Sequence, residues 1–212
     1  MNLNVGIVAE GPTEIMLFKS LINKLIPGSH YYYELQPPVS ATPGFGSHGA
    51  GWKGVRGWCE EIGREFDELP RFLRCLDPPL DILIVQLDAD VAREAEVNCV
   101  KKPCPPIEDT VVLLEKKLLE WIGEKSWPHR IVRCFPADNT EAWVMAAYDP
   151  QTPYHAPPDN PLECVEKPDM IISNQAYKRP RRLLKRKKDR RGKKKPKKDQ
   201  RTYRELIPTV LE

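Results

Sequence analysis

Glu10, Asp88 and Asp90 have the residue types and spacing to hold a metal ion. Glu10 follows an apolar, β-branched run at residues 3–9, and Asp88 and Asp90 follow the most aliphatic stretch of the chain, residues 80–87. Such runs read as strands buried on both faces of a parallel sheet. All three acids are therefore expected at the carboxyl ends of strands, the edge where open α/β sheets bind ligands. On an extended backbone Asp88 and Asp90 point the same way, and Glu10 joins them if the two strands are neighbours. One pair of like charges at ~4 Å costs about 4 kcal/mol at an effective dielectric near 20, so a bound divalent cation would relieve the cluster. All-oxygen ligation without His or Cys favours Mg2+ or Mn2+ over zinc.

The same residues have plainer uses. Asp88 and Asp90 suit an Asx turn at a strand end. Glu14, in Glu10-Gly11-Pro12-Thr13-Glu14, suits a helix entrance with Pro12 in the first turn and an acid complementing the dipole. Asp138-Asn139-Thr140-Glu141 has the form of a capping box, with Asp138 as cap and Glu141 reaching back, and Glu141 could face the metal site as well.

The second chemical feature is a basic arm. Residues 178–201 hold sixteen basic and two acidic residues, a net +14, which leaves −11 on the rest of a chain whose formal charge is +3. The candidate phosphate-binding residues are Lys178, Arg179, Arg181, Arg182, Lys185, Arg186, Lys187, Lys188, Arg190, Arg191, Lys193, Lys194, Lys195, Lys197 and Lys198. Too few apolar residues interleave them for independent folding, and contact with even about six phosphates gives strong, sequence-independent, salt-sensitive binding. Tyr177 and Tyr203 only flank the run, so base stacking is a minor expectation. A localisation signal, or an arm folded onto the acidic body, fits the same composition.

The elements that position these groups alternate. Residues 3–9 predict a strand and Thr13 onward a helix through Ile15, Phe18, Leu21, Ile22 and Leu25. Residues 31–35 predict a strand, and residues 44–57, with six glycines around His48, Lys53 and Arg56, a loop able to let a phosphate approach. Residues 58–76 have helical spacing that Pro70 kinks or splits. After the strand at 80–87 come a helix over 107–124, a strand over 129–135 and a helix over 139–148. This order implies an α/β domain with a mostly parallel sheet flanked by helices. We expect the domain over residues 1–150, a Pro-rich connecting segment over 151–177, the basic arm over 178–201 and a C-terminal segment over 202–212 able to dock on the body.

Composition narrows the class. A chain of 212 residues with 41% hydrophobic content can bury a core, and its 22 prolines imply long irregular loops. No apolar run reaches the ~18 residues of a membrane span, and the N-terminal region lacks a secretory pattern, so a cytoplasmic protein is expected. The six cysteines form no CxxC and are expected as reduced thiols; Cys99 and Cys104 resemble half a zinc site, but no second pair follows. No Walker pattern or dedicated nucleotide-triphosphate pocket is legible, which argues against nucleotidyl transfer of the primase type.

The motifs Val8-Ala9-Glu10-Gly11-Pro12-Thr13-Glu14, Leu87-Asp88-Ala89-Asp90 and Asn139-Thr140-Glu141-Ala142-Trp143, in that order, resemble small standalone bacterial Toprim-like proteins of unassigned function. Their fold is shared by topoisomerases, primases and overcoming-lysogenization-defect type nucleases. The resemblance covers about residues 3–148. It implies Mg2+-dependent phosphodiester chemistry on DNA, with Glu10 as general acid/base and Asp88 and Asp90 as metal ligands. Glu14 and Glu141 are further catalytic candidates. A place in bacterial defence beside an ATPase partner is suggested by the company such proteins keep. The sequence departs from the nuclease pattern in having no clear Lys or Arg beside the acids; Arg93 is the nearest candidate. The competing reading is a non-catalytic nucleic-acid-binding module with a vestigial acid cluster.

Overall fold

A computed structural model describes residues 2–38, 48–100, 102, 104, 107–148, 162–174, 184–188 and 192–212. Of the arm, Lys178, Arg179, Arg181, Arg182, Arg190 and Arg191 lie outside the described residues, as do much of the connecting segment and part of the glycine-rich loop.

Strand β1 (Asn4–Val8) leads into α1 (Pro12–Leu25), then β2 (Tyr31–Gln36), α2 (Trp52–Phe66), α3 (Leu69–Cys75), β3 (Ile82–Gln86), α4 (Glu108–Ile122), β4 (Ile131–Cys134) and α5 (Glu141–Tyr148). The four strands form one parallel sheet in the order β2-β1-β3-β4. β1 and β3 are thus neighbours, the condition on which bringing Glu10 to Asp88 depends. Helix α2 starts at Trp52, inside the stretch expected as loop, and the helical span beyond it is split into α2 and α3, with Pro70 in the first turn of α3.

Alternation along the central strands builds two cores. Leu83, Val85 and Leu87 face Val55, Trp58, Ile62, Phe72, Leu114 and Leu118 of α2, α3 and α4. Val5, Ile7 and Ile84 face Ile15 and Phe18 of α1 on the other side. Both faces are covered, as a parallel sheet requires. At the centre of β1, a Cβ on Gly6 would lie 2.7 Å from Leu80 Cδ1 and 2.9 Å from Leu35 Cδ1, so only glycine fits without displacing them.

Beyond the sheet the chain forms the short helix α6 (Pro168–Ile172), a two-stranded antiparallel hairpin of β5 (Arg186–Lys188) and β6 (Lys194–Pro196), and α7 (Gln200–Val210). Tyr203, Leu206 and Ile207 of α7 pack with Leu17 of α1, Val144 and Met145 of α5, Ile172 and Leu184 in a third core. The described part of the arm is therefore ordered against the acidic body: Leu184 and α7 supply apolar surface that the charge run concealed.

One cysteine expectation is corrected. Cys104 and Cys164 form a disulfide, with Cα atoms 5.5 Å apart, and so tie the segment before α6 to the loop before α4. Cys59, Cys75, Cys99 and Cys134 are free thiols, and Cys99 has no zinc partner in Cys104. No described helix is long and apolar enough to cross a membrane.

Candidate functional site

Glu10 and Asp88 meet because their strands are adjacent. β1 and β3 run in register, Val8 beside Val85, and each chain continues past the sheet edge with a carboxylate. A ring of hydrogen bonds ties the two ends together. The Glu10 amide donates to Gln86 Oε1 at 3.0 Å, Gln86 Nε2 donates to Asp88 Oδ1 at 2.7 Å, and the Asp88 amide donates to Glu10 Oε1 at 2.8 Å. Gln86 is completely buried, so the ring is sealed from water on the core side. Thr140 Oγ1 adds a donation to Asp88 Oδ1 at 3.4 Å.

Asp90 reaches the site by a different route from the one its spacing suggests. The strand stops at Gln86, and Ala89–Arg93 form a 3-10 turn, so Asp88 and Asp90 do not share one face of an extended segment. The turn is anchored by donations from the Ala89 and Asp90 amides to the carbonyls of Pro136 and Asp138, each at 3.0 Å. Asp90 still lines the same cavity as Glu10 and Asp88.

Two further acids close the group. Glu14 sits buried in the first turn of α1, accepting from Thr13 Oγ1 at 2.9 Å. Glu141, at the start of α5, is fully buried. It does not belong to a capping box: Asn139 Oδ1 accepts from the Glu141 amide at 3.2 Å, and Asp138, in a left-handed conformation at φ 55°, pairs with Arg93 and accepts from the Lys167 amide at 2.7 Å. Arg93 is thus committed to Asp138. It lowers the pKa of Asp90 but is not the cation that acts on Glu10, Glu14 and Asp88.

That cation is Lys198. Its Nζ donates to Glu141 Oε2 at 2.6 Å, and Tyr203 Oη donates to Glu141 Oε1. The placement follows from α7. Asp199 caps the helix, accepting from the Thr202 amide at 3.1 Å and from Thr202 Oγ1 at 3.2 Å, which fixes the backbone beside Lys198. About a third of the Lys198 side chain, 35%, remains exposed, so its ammonium spans the buried glutamate and the open cavity. Its sequence position groups Lys198 with the phosphate-binding arm; the faint sequence signal for its special position is the Asp199 cap followed by the apolar spacing Tyr203, Leu206, Ile207.

Charge crowding is severe. Burial raises the pKa of Glu10 to about 8, with Asp90 and Glu14 adding to the effect and the Asp88 amide opposing it. Burial, then Glu10 and Glu14, hold Asp88 well above the usual carboxylate range. Burial and Asp138 take Asp90 to about 6, against Arg93 and Lys198. Burial also raises Glu14. For Lys198, burial alone would lower the pKa, but Glu141, Asp88 and Glu14 outweigh it and hold the ammonium above the ordinary lysine range.

Two cavities flank the acids and share Glu10, Asp88 and Lys198 as walls. One, of about 430 Å3, also touches Glu14 and Gly51. The other, of about 770 Å3, has Asp90 on its acidic side and Lys167, Lys193, Lys194 and Lys195 around it. Among the described residues no group of three or more His, Cys, Asp or Glu side chains is arranged to hold a metal ion. His48, in the glycine-rich loop, pairs with Glu61 at 2.6 Å and lines neither cavity.

Compared with family models, curated proteins and solved structures, the chain has no match.

Proposed function

We propose that this chain is a Toprim-like nuclease that hydrolyses phosphodiester bonds of DNA with Mg2+ or Mn2+, its acids at the carboxyl edge of the sheet and its counter-charge supplied by Lys198. The observation that carries the reading is that Glu10, Asp88 and Lys198 together wall both cavities at that edge. The donor set fits a hard cation by chemistry: the available groups are carboxylate oxygens held in an environment that disfavours their charge. Mg2+ is commonly held through one or two carboxylates with waters and substrate phosphate completing its shell, so a three-carboxylate cage is not required. Asp88 and Asp90, with Glu10 beside them, would hold the ion. Bound there, it would polarise a phosphoryl oxygen and acidify a water.

The remaining work belongs to the chain's own residues. Glu10 accepts or returns a proton close to neutral pH. Gln86 holds Glu10 and Asp88 at one separation. An ammonium has three donors; Lys198 commits one to Glu141 and faces the cavities, where it stabilises charge growing on a phosphoryl oxygen. Glu141 and Tyr203 position Lys198, and the arm draws in the phosphate backbone.

A second reading has an observation of its own. Lys198 already neutralises part of the acid group, and no three-residue metal cluster exists among the described residues, as a non-catalytic binding module would have it. Incubating plasmid DNA with the protein and Mg2+ or Mn2+, beside Glu10→Gln, Asp88→Ala and Lys198→Ala, separates the two. We expect metal-dependent nicking that each substitution lowers at least about a hundredfold. Absence of nicking, or equal nicking by the variants, overturns the enzyme reading.

A further inference from the structure

The β5–β6 hairpin does more than add charge. β6 carries Lys194 and Lys195, and with Lys193, Lys167 and Lys198 they border the 770 Å3 cavity whose acidic side is Glu10, Asp88 and Asp90. Lysines and acids, Asp169 among them, thus line one cleft. The cleft lies within the roughly 300–1,000 Å3 range of small-ligand sites. A nucleotide or two of one strand fits that volume. A duplex does not enter it whole: its backbones stand apart across a major groove about 12 Å wide, while 770 Å3 equals a cube about 9 Å on a side.

We propose that the hairpin makes this a site for a single polynucleotide strand, threaded with its phosphates along the lysines and past Glu10 and Asp88. This rests on the nuclease reading and names its substrate form. The second cavity supports the path: because it shares Glu10, Asp88 and Lys198 with the first, a strand leaving one side of the acids has space of about 430 Å3 on the other. Among the described residues no tryptophan, tyrosine or phenylalanine lines either cavity, so the strand is held by its backbone, which makes binding salt-sensitive and indifferent to base identity.

The test is fluorescence anisotropy on the full chain with Ca2+ as the cation, using a labelled oligonucleotide as a single strand and as the same sequence in a blunt duplex. The single strand binds on the order of tenfold tighter, and Lys193→Ala/Lys194→Ala/Lys195→Ala removes that preference. Three lost contacts at about 0.7 each lower the logarithmic salt slope by about 2, so a fourfold rise in salt costs the wild type about 20-fold more affinity than the variant. Lys24→Ala, exposed in the last turn of α1 and outside both cavities, removes a charge but leaves the preference intact, and a circular-dichroism spectrum and urea midpoint unchanged in the triple variant report that it is folded. Equal or tighter duplex binding, or a preference that survives the triple substitution, overturns the inference. The two failures are distinguishable: metal-dependent cleavage of duplex without strand preference refutes the threading alone, whereas no cleavage of either form refutes the nuclease reading and the threading with it.

Discussion

Replacing Lys198 with Ala tests whether the end of the basic run is structural. Glu141 is fully buried and accepts from Lys198 Nζ at 2.6 Å. Removing one member of a fully buried ion pair costs about 3–5 kcal/mol, because a charge is left uncompensated. Here water reaches about a third of the Lys198 side chain, so screening discounts the figure to about 2 kcal/mol. For a chain of this length that corresponds to a fall in Tm of roughly 4–8 °C. Lys197→Ala, which breaks only a surface pair with Asp199 at 3.4 Å, is the control and changes stability by less than about 0.5 kcal/mol. The raised pKa of Lys198 fixes the pH window. Its contribution is complete below the ordinary lysine pKa of about 10.4 and is lost only as pH rises through the still higher folded value, so the penalty is no smaller at about pH 9, where Glu10 has also ionised, than at about pH 7. Urea unfolding of both variants supplies the numbers, and a cycle with Glu141→Gln isolates the pair. If Lys198→Ala is no more destabilising than Lys197→Ala, the placement of Lys198 in the acid group is refuted.

Further outcomes follow from the same groups. The folded pKa of Glu10 is raised from 4.5 to about 8, so its protonation stabilises the fold fully below about pH 4.5, and that contribution is lost as pH rises through about 8. Metal-free protein is therefore less stable at about pH 8 than at about pH 5, by at most about 4 kcal/mol, and Mn2+ restores stability at the higher pH; urea midpoints that are flat or rising across that window contradict this. The Cys104–Cys164 bond closes a separation of 60 residues, and reducing it lowers stability by up to about 4 kcal/mol. Thiol counting under denaturing, non-reducing conditions gives the four free cysteines, and finding six contradicts the bond.

The positions of Glu10 and Asp88 were legible because a continuous aliphatic run has few other uses, and strands that alternate with helices lie parallel. Asp90 was misplaced in detail because hydrophobic pattern marks where a strand is, not where it stops: the 3-10 turn after Asp88 depends on carbonyls of residues 136 and 138, which no local pattern reveals. Glu141 was misread because Asp138 and Asn139 both suit a cap, and the Arg93 contact that withdraws Asp138 is 45 residues distant. Lys198 was hidden by its neighbours. In a run of sixteen cations, one lysine differs only through the helix that follows it. The cysteine pair lies in irregular segments, where periodicity carries no information about spatial proximity.

The acids and their counter-charge are separated in time as well as in sequence. Translation completes the four strands by Cys134 and Glu141 soon after, but Lys198 and the Asp199 cap are made only later. A chain stopped before Lys198 would carry the acids without their ammonium, and packing of Tyr203, Leu206 and Ile207 in the third core holds that ammonium in place. The acid edge of the sheet has its counter-charge only with α7 docked.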